Sequence, residues 1–548
     1  MLAVSSINIS SIDVSIIILY LVGIVGLGCW AGFRQRRGTV GSGYFLAGRT
    51  LTWPMIGLAL YSTNINTVHI VSLAQEGYKN GFAYGNYEWM AAFTLIPLAL
   101  FFAPFYIRSR VATLPDFLEK RYDRSCRDWL AVLSLVSAIF IHIGFTIYAG
   151  AVVLKGMFGI PIMMSVITIG LLTGLYTTVG GLLAVVLTES IQAVLLMLGA
   201  ICVTSVGLYY AGGWSAIIEN TEPVKMALLR PTGDPSNLPW YAVILGYPVI
   251  GLWYWCADQT IVQRVLGAKD ENHARVGALF TGFIKIIDVF VFVFPGLICF
   301  VLIKQGKLSG LTNSEDAYAF MVDRLLPVGL RGLIAASLLA ALMGAVAGAL
   351  NSIATLFSYD IYKRWRPQTP DKTLVFVGRV ATVCSMIAAI LWSPFLSRYP
   401  SIYQGIVALI SCIAPPVTAV FLFGVFWKKA SSKAAFTTLW MGSIAGFVVF
   451  LIVWFKTSDW LKQYIDWNVP MLLVGFYLFV LCSVIMFIVS VLHPHKHTAD
   501  SEKLVWNSPI EALRGDAWKG IGNYKILSVV LFFTVIALYW IFQWQPWR

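Results

Sequence analysis

Long apolar stretches separated by short polar loops follow one another along the whole chain. A stretch of about 20 apolar residues is long enough to cross a bilayer as a helix. The pattern therefore predicts an all-α polytopic membrane protein with about 14 transmembrane helices. The predicted spans are 12–33, 51–75, 84–106, 129–154, 159–180, 183–211, 238–263, 276–303, 329–357, 374–396, 402–426, 434–455, 468–492 and 524–544.

Two of these spans are interrupted by polar residues. Span 51–75 turns polar at residues 62–67 and again at His69, and span 238–263 contains a similar break at residues 251–259. Lipid offers no hydrogen-bond partners, so such breaks are tolerated only where protein or a water-filled cavity surrounds them. Secondary transporters use interrupted helices to build a substrate and ion site at the bilayer midplane. The alternative is a helix that is kinked by packing alone.

The positions of the two breaks suggest an internal repeat within a single transmembrane domain, residues 1–548. Each interrupted helix begins one half, 51–211 or 238–426, and the two halves enter the membrane from opposite sides. This is the LeuT-type 5+5 inverted repeat with additional helices, here 12–33 before it and 434–544 after it.

Composition and charge support a membrane location. Only 12% of the 548 residues are charged, against about 25% in soluble domains. The net charge of +13 could suggest nucleic acid, but Lys and Arg are concentrated in alternate loops such as 34–37, 108–127 and 264–275. By the positive-inside rule, these loops are expected to be cytoplasmic. Both termini of this multi-pass protein of the plasma membrane are then expected on the outside of the cell. No nucleic-acid partner and no cleavable signal peptide are therefore expected.

Ionisable side chains inside the spans are costly in lipid, so each is a functional hypothesis. The carboxylate of Glu88 can accept hydrogen bonds from a polyol, or it can be an interface anchor beside Trp89. Lys285 and Asp288 are three residues apart and can pair, either as a structural ion pair or as a lysine donor that the aspartate holds toward a substrate. The ionisable residues within the spans are His69, Glu88, His142, Glu189, Asp258, Lys285 and Asp288.

Three of these residues have further interpretations. Glu189 lies either on an ion exit path or at a wet helix end, and both interpretations stay open. Asp288 could also be a protonatable group. His142 stands alone in an apolar run and is interpreted as a core histidine with a satisfied hydrogen bond.

An ordered series of short strings resembles the sodium/solute symporter family, most closely its sodium–glucose cotransporter branch. The resemblance implies the LeuT-type fold and sodium-driven inward movement of a sugar or another small solute. The matching strings are 43–49, Asn64-Ile65 with His69, 87–89, 114–122, 176–181 with Gln192, 253–256 with Asp258-Gln259, 262–264, 350–352, 360–362, Pro415-Pro416 and 426–429.

The resemblance also implies roles for individual residues. Tyr254 corresponds to the aromatic residue that closes the substrate site on its inner side, and Glu189 stands where the family usually has an aspartate linked to sodium release. Val407 and Gly251 replace polar residues of the family's sugar site, so a different sugar or an inositol is a possible ligand. The implied substrate-site residues are Asn64, His69, Glu88, Trp255 and Lys285.

The family's sodium site raises a question about the coupled ion. It uses backbone carbonyls near Ser62 and Ile65 together with a carbonyl and two hydroxyls from span 329–357, where this chain has Ala341, Gly344 and Ala345. Glycine and alanine supply no side-chain oxygen, which a hard cation prefers. Sodium coupling through carbonyls is the leading expectation. Facilitated transport, or proton coupling through Glu189 or Asp288, is the alternative.

The sequence therefore predicts a secondary active transporter for a sugar or sugar-like polar solute, such as a hexose or an inositol. Its expected partners are that solute, the sodium ion and the lipid bilayer, with no organic cofactor. A solute sensor that does not transport is a second hypothesis. The chain contains no HExxH zinc motif and no GxSxG nucleophile elbow, so an enzyme is not expected.

Overall fold

The computed structural model describes residues 10–35, 41–398, 402–455, 469–494 and 497–544, and these are predominantly helical. Both chain ends and Arg36-Arg37 of a predicted cytoplasmic loop lie outside this part of the chain. The principal helices are α1 (Ser11–Gln35), α2 (Trp53–Asn64), α3 (Thr67–Asn80), α4 (Asn86–Pro97), α5 (Ala103–Arg108), α6 (Leu114–Arg121), α7 (Arg124–Ser137), α8 (Gly144–Phe158), α9 (Ile162–Ala211), α10 (Gly213–Asn220), α11 (Trp240–Leu252), α12 (Gln259–Leu266), α13 (Glu271–Asp288), α14 (Phe294–Lys304), α15 (Ala317–Leu325), α16 (Leu330–Leu356), α17 (Asp371–Trp392), α18 (Ile402–Phe426), α19 (Ser432–Phe455), α20 (Met471–Leu492) and α21 (Tyr524–Trp544).

Shorter helical segments link several of these helices. Single π-helical turns continue some spans without a break in direction, and such turns are often found at functional sites. The π-helical turns are Leu98–Phe102, Ala138–Ile143, Trp253–Ala257, Val289–Val293 and Phe357–Tyr362. Other short helices and 3₁₀ turns are Ser42–Leu46, Ala47–Arg49, Gly81–Gly85, Pro223–Met226, Ser314–Asp316, Lys363–Trp365, Ser393–Arg398, Ala499–Glu502, Pro509–Leu513 and Gly520–Gly522.

In the described residues, 12 helical segments are long and apolar enough to cross a membrane. The two predicted spans 159–180 and 183–211 lie in one segment, Ile162–Ala211, which Gly181 divides with a φ of 64° and a ψ of −167°. The predicted span 51–75 is formed instead by two helices of 12 and 14 residues, α2 and α3. The multi-pass helical architecture is confirmed, whereas the predicted count of about 14 is not confirmed.

Helix α16 forms the centre of the bundle. In its most apolar 18-residue window, 94% of the residues are buried, against 22% in the corresponding windows of α19 and α21. Helix α16 packs against α1, α2 and α9. Its glycines and alanines allow this close approach because small side chains keep helix backbones near one another. The exposed apolar faces of α19 and α21 suit contact with lipid hydrocarbon.

Polar contacts join the two halves of the chain at one end of the bundle. Asp360 accepts hydrogen bonds from Arg127 Nε at 2.7 Å and from Thr113 Oγ1 at 3.0 Å. The backbone N–H of Leu114 donates to Gln259 Oε1 at 2.7 Å. The segment that contains α6 and α7 therefore contacts both the π-turn that follows α16 and the start of α12. These contacts close this end of the bundle next to the second break.

Candidate functional site

The first predicted break is confirmed at Ile65 and Asn66. Both residues have extended backbone conformations, with ψ values of 119° and 179°. The Asn66 side chain caps α3 by accepting from His69 N at 3.3 Å, and Asn66 N donates to His69 Nδ1 at 3.3 Å. This N–H is the one that would bond the Ser62 carbonyl in a continuous helix. The Ser62 carbonyl is therefore left without its usual helical partner.

The second predicted break is confirmed at Asp258, between the π-turn Trp253–Ala257 and α12. Asp258 has an extended conformation, with φ −85° and ψ 123°. Its Oδ1 accepts from Ile261 N at 3.2 Å and caps α12. Its Oδ2 lies 3.1 Å from His142 Nε2. The polar groups freed by this break are thus paired by side chains.

A cavity of about 130 Å³ lies between the two breaks. The predicted substrate-site residues Asn64, His69, Glu88, Trp255 and Lys285 all line it, and so does Tyr254. Six residues separated by up to 221 positions are therefore brought to one chamber. The other lining residues are Thr63, Asn66, Tyr87, Ala91, Ile141, His142, Thr146, Tyr247, Ile250, Gly251, Ala345, Ile406, Val407 and Ile410.

Three charged side chains form a cluster at one wall of the cavity. The Lys285 ammonium donates to Glu88 and, at 2.9 Å, to Asp288 Oδ2. Tyr61 Oη donates to Asp288 Oδ1 at 2.8 Å. The charged side chains are at most 2% exposed. The Lys285 ammonium contacts both carboxylates, and Glu88 and Lys285 also line the cavity.

The interpretation of Glu88 as an interface anchor is wrong. Its side chain is 2% exposed, and the neighbouring Trp89 is fully buried. Trp89 Nε1 donates to Ile286 O at 3.0 Å within the protein. The Lys285–Asp288 ion pair is confirmed.

Tyr254 connects the two breaks. Its hydroxyl accepts a hydrogen bond from Asn64 Nδ2 at 3.1 Å, and its ring lies 6.2 Å from that of His142. A side chain that bridges both interrupted helices must change its contacts if the helices separate.

His142 and Thr146 belong to the cavity although the sequence interpretation did not assign them to it. The two residues are four positions apart on one helical face, and Thr146 Oγ1 accepts from Asn66 Nδ2 at 3.2 Å. His142 does have the polar partner expected of a core histidine, in Asp258. However, its side chain is 14% exposed and lines the chamber. The i, i+4 spacing of two polar residues in an apolar span was the available signal.

Glu189 is fully buried beside α12, so its interpretation as a wet helix end is wrong. It pairs with the equally buried Arg264 and accepts from Thr63 Oγ1 at 3.0 Å. Arg264 was assigned to a cytoplasmic loop from its charge. It is buried because Glu189 supplies the counter-charge that it needs away from water.

The three residues proposed for sodium, Ser62, Ile65 and Ala341, are not among the described residues that line the cavity. Ser62 precedes the first break and Ile65 lies in it, and both are buried, as is Ala341 on α16. One turn beyond Ala341, Gly344 faces Ser62. Ala341 and Gly344 have no side-chain oxygen, so any cation here would be held by backbone carbonyls and by oxygens from other helices.

Comparison with known proteins agrees with this architecture. The model of the sodium:solute symporter family matches residues 44–442. The chain is 35% identical to sodium/glucose cotransporter 1 of Ovis aries, over 79% of the chain and 71% of that protein. It is 34% identical to sodium/myo-inositol cotransporter 2 of Oryctolagus cuniculus, over 80% of the chain and 69% of that protein.

Solved structures resemble the fold. A Na⁺-coupled sialic acid symporter in a substrate-bound outward-open state aligns with a TM-score of 0.76 at 21% identity, covering 89% of this chain and 100% of that one. Mhp1, a nucleobase-cation-symport-1 family transporter, aligns with a TM-score of 0.55 at 14% identity, covering 84% and 97%. The family match and the sequence relatives each extend over most of the chain. The protein therefore belongs to the sodium:solute symporter family and has a LeuT-type fold.

Proposed function

We propose that this protein carries a sugar or polyol across the plasma membrane by alternating access, with sodium as the coupled ion. The observation that carries the proposal is the chamber between two interrupted helices, lined by the buried Glu88–Lys285 pair. The relatives named as sodium/glucose and sodium/myo-inositol cotransporters support a polyhydroxylated substrate. Like them, the protein is a transporter of its family, and no catalytic activity is proposed.

The chamber offers both partners that a hydroxyl group needs. Glu88 accepts hydrogen bonds, the Lys285 ammonium donates them, and the side-chain amide of Asn64 does both. His69 stands beside the first break, and Trp255 adds an aromatic face on which the C–H groups of a sugar ring can pack. We infer that these five residues bind the substrate.

Another part of the cavity wall is apolar. Ile406, Val407 and Ile410 from α18 lie with Ile250 around the cavity. A hydroxyl held against this wall would lose its water without gaining a partner, at a cost of about 1–3 kcal/mol. The substrate should therefore turn a C–H edge toward α18 and its hydroxyl groups toward α4 and α13.

Alternating access requires the inner end of the site to open. We infer that Tyr254 is the inner gate, because its hydroxyl holds Asn64 across the two breaks. Movement of α12 away from α6 would break the Leu114–Gln259 contact and release Tyr254 from Asn64. A bound solute shifts this equilibrium only by its differential affinity for the two states.

The proposed organisation follows the sequence expectation. We infer inverted repeats at 51–211 and 238–426, supported by one interrupted helix at the start of each. Glu189 and Asp288 are proposed members of the ion path. The excess of Lys and Arg in alternate loops supports termini on the outside.

The test uses purified protein in liposomes. Labelled glucose and myo-inositol are offered with an inward sodium gradient, and with choline in place of sodium at the same pH. We expect saturable uptake of at least one solute that the sodium gradient drives above equilibrium. Equal uptake in both media would instead favour a facilitated carrier, and sodium-independent uptake that follows a proton gradient would favour proton coupling.

The critical variant is Glu88→Gln, with Glu76→Gln as its matched control. Both glutamates are buried, but Glu76 pairs with Asn80 and does not line the chamber. Glu88→Gln should abolish saturable uptake, while Glu76→Gln should retain it. Normal uptake by Glu88→Gln would remove Glu88 from the substrate site. Specific binding of solute by the wild-type protein without any uptake would favour a sensor.

A further inference from the structure

The charged cluster at the cavity wall contains two acidic side chains and one basic side chain. Glu88 and Asp288 share the single ammonium of Lys285, and all three side chains are at most 2% exposed. The other buried cation near the breaks, Arg264, is paired with Glu189. With both carboxyl groups ionised, this part of the wall therefore carries one unbalanced negative charge.

The hydrogen bonds of Asp288 favour its ionised form. Tyr61 Oη donates to Asp288 Oδ1 at 2.8 Å, and Lys285 Nζ donates to Asp288 Oδ2 at 2.9 Å. An ionised carboxylate accepts hydrogen bonds at both oxygens, whereas a protonated one must donate at one of them. Two donors on the two oxygens thus leave no role for a proton on Asp288.

The negative charge reaches the cavity at Glu88. Glu88 and Lys285 line the cavity, whereas Asp288 is not among the described residues that do so. Because Lys285 divides its charge between two carboxylates, it balances Glu88 only in part. Coupled sodium is not placed to balance Glu88 either, since the residues proposed to hold it do not line the cavity among the described residues.

The rest of the chamber is rich in groups that attract a cation. Four aromatic rings line the cavity with Glu88, those of Tyr87, Tyr247, Tyr254 and Trp255. The face of an aromatic ring carries negative potential, and rings of this kind form the cages that recognise ammonium ligands. The Lys285 ammonium itself lies 6.0 Å from the centre of the Trp255 ring.

An acceptor oxygen without a partner lies at the same cavity. Asn64 is 8% exposed and lines the chamber, and its Nδ2 donates to Tyr254 Oη. Its Oδ1 has no hydrogen-bond partner among the described residues. Buried oxygens of this kind are generally satisfied by a donor in the functional state. The chamber therefore has an acceptor ready for an N–H or O–H group of the solute.

We propose that the solute is an amino sugar, whose protonated amine lies between Glu88 and the aromatic rings. This inference rests on the proposed function and narrows its substrate class. Asp288 is then a positioning residue that does not touch the solute. By taking part of the Lys285 charge, it leaves Glu88 with a negative charge for the ammonium.

The charge balance predicts how Asp288 sets the preference. A neutral sugar leaves the buried cluster with its unbalanced charge, which is unfavourable away from water. With asparagine at position 288, Glu88 and Lys285 form a balanced pair. An ammonium group would then meet the undivided charge of Lys285, so a neutral sugar should bind better than an amino sugar.

The experiment measures solute binding to the purified full-length protein in sodium buffer, from the rise in melting temperature with solute concentration. The probes are glucose, N-acetylglucosamine and three amino sugars with the amine at C2, C3 or C6. The buffer is held at about pH 6.5, where an amine is protonated. N-acetylglucosamine keeps the nitrogen at C2 but carries no charge.

We expect at least one amino sugar to bind the wild type at least tenfold more tightly than glucose, and N-acetylglucosamine to bind no better than glucose. Asp288→Asn should reduce the ratio of the two affinities at least tenfold. Tyr61→Phe is the matched control, because it also removes a hydrogen bond of Asp288 but keeps its charge, and it should retain the ratio.

The wild-type comparison decides the substrate class even if Asp288→Asn does not fold. Amino sugars that bind no better than glucose would overturn the proposal. A preference for the amine that Asp288→Asn leaves unchanged would overturn the role of Asp288.

Solute uptake in liposomes separates this inference from the proposed function. Sodium-driven uptake of glucose or myo-inositol, without tighter binding of any amino sugar, would reject the amino sugar and keep the carrier. Absence of binding and of uptake for every one of these solutes would reject both proposals. Sodium-driven uptake of the labelled amino sugar that binds most tightly would support both.

Discussion

Removal of the Lys285 charge should destabilise the protein more than removal of either of its acidic partners. Lys285 is 1% exposed and pairs with Glu88 and Asp288, which are 2% and 0% exposed. Lys285→Met keeps most of the side-chain volume but leaves two buried carboxylates without a counter-charge. Breaking a buried ion pair by removing one partner costs about 3–5 kcal/mol. Glu88→Gln, in contrast, leaves the Lys285–Asp288 pair neutral.

The double variant Lys285→Met/Asp288→Asn tests whether the stability costs of the two substitutions are coupled. It removes one of the two carboxylates that Lys285→Met leaves unpaired, so it should recover about 2 kcal/mol of the loss. Unrelated substitutions would add their costs and make the double variant the less stable one. The sign of the coupling between Lys285 and Asp288 therefore tests the geometry directly.

The assay is thermal melting of detergent-solubilised protein, followed by fluorescence-detected size exclusion. Thr281→Val is the control, since it removes a buried hydroxyl on the same helix that donates to Gly57 O at 3.0 Å, at an expected cost of about 1 kcal/mol. We expect the melting temperature to fall most for Lys285→Met and less for the double variant. A double variant that melts below Lys285→Met would refute the reasoning.

Three further substitutions test other parts of the chamber and the fold. Val407→Gln places an amide in the apolar part of the cavity wall, where it can bond a substrate hydroxyl. Competition of uptake by monodeoxy sugars should then show that one hydroxyl contributes about tenfold more to affinity than in the wild type. The same order of affinities in the variant and the wild type would contradict the placement of Val407 against the substrate. His142→Phe leaves Asp258 Oδ2 without its partner at the second break, and uptake should fall well below wild type at equal protein levels. Normal uptake would show that the pair is dispensable. Gly181→Ala should sharply reduce the monodisperse fraction of the purified protein, because φ is +64° at this position and alanine rarely adopts it. The control Gly26→Ala should leave that fraction unchanged, since no atom lies within 4 Å of the new methyl group. Equal yields of the two variants would speak against a left-handed backbone at Gly181.

The local features of the site could be predicted from the sequence because lipid penalises them wherever they occur. Polar residues at 62–67 and 251–259 stand out against apolar spans, and the structure has breaks at Ile65-Asn66 and at Asp258. Glu88 and Lys285 stand out for the same reason. Burial in hydrocarbon makes each such residue exceptional without knowledge of its neighbours.

Pairing across the chain could not be predicted in this way. Arg264 carried the signal of a cytoplasmic loop, since the positive-inside rule counts charges and does not identify partners. The structure buries it against Glu189, 75 residues away. The partner of His142 could not be predicted either, because Asp258 lies 116 positions along the chain and is brought beside it only by the fold.

The sequence by itself determined that this protein is a helical membrane protein with two interrupted spans, and it marked the charged residues that lipid would not tolerate alone. Tertiary structure decided which of these groups meet: Lys285 with two acids, Arg264 with Glu189, and Asn64 with Tyr254 across the two breaks. The physical reason is that the two kinds of interaction depend on different information. Hydrophobic burial acts residue by residue along the chain, whereas ion pairs and ligand oxygens depend on positions within a few ångströms that only the packed helices define.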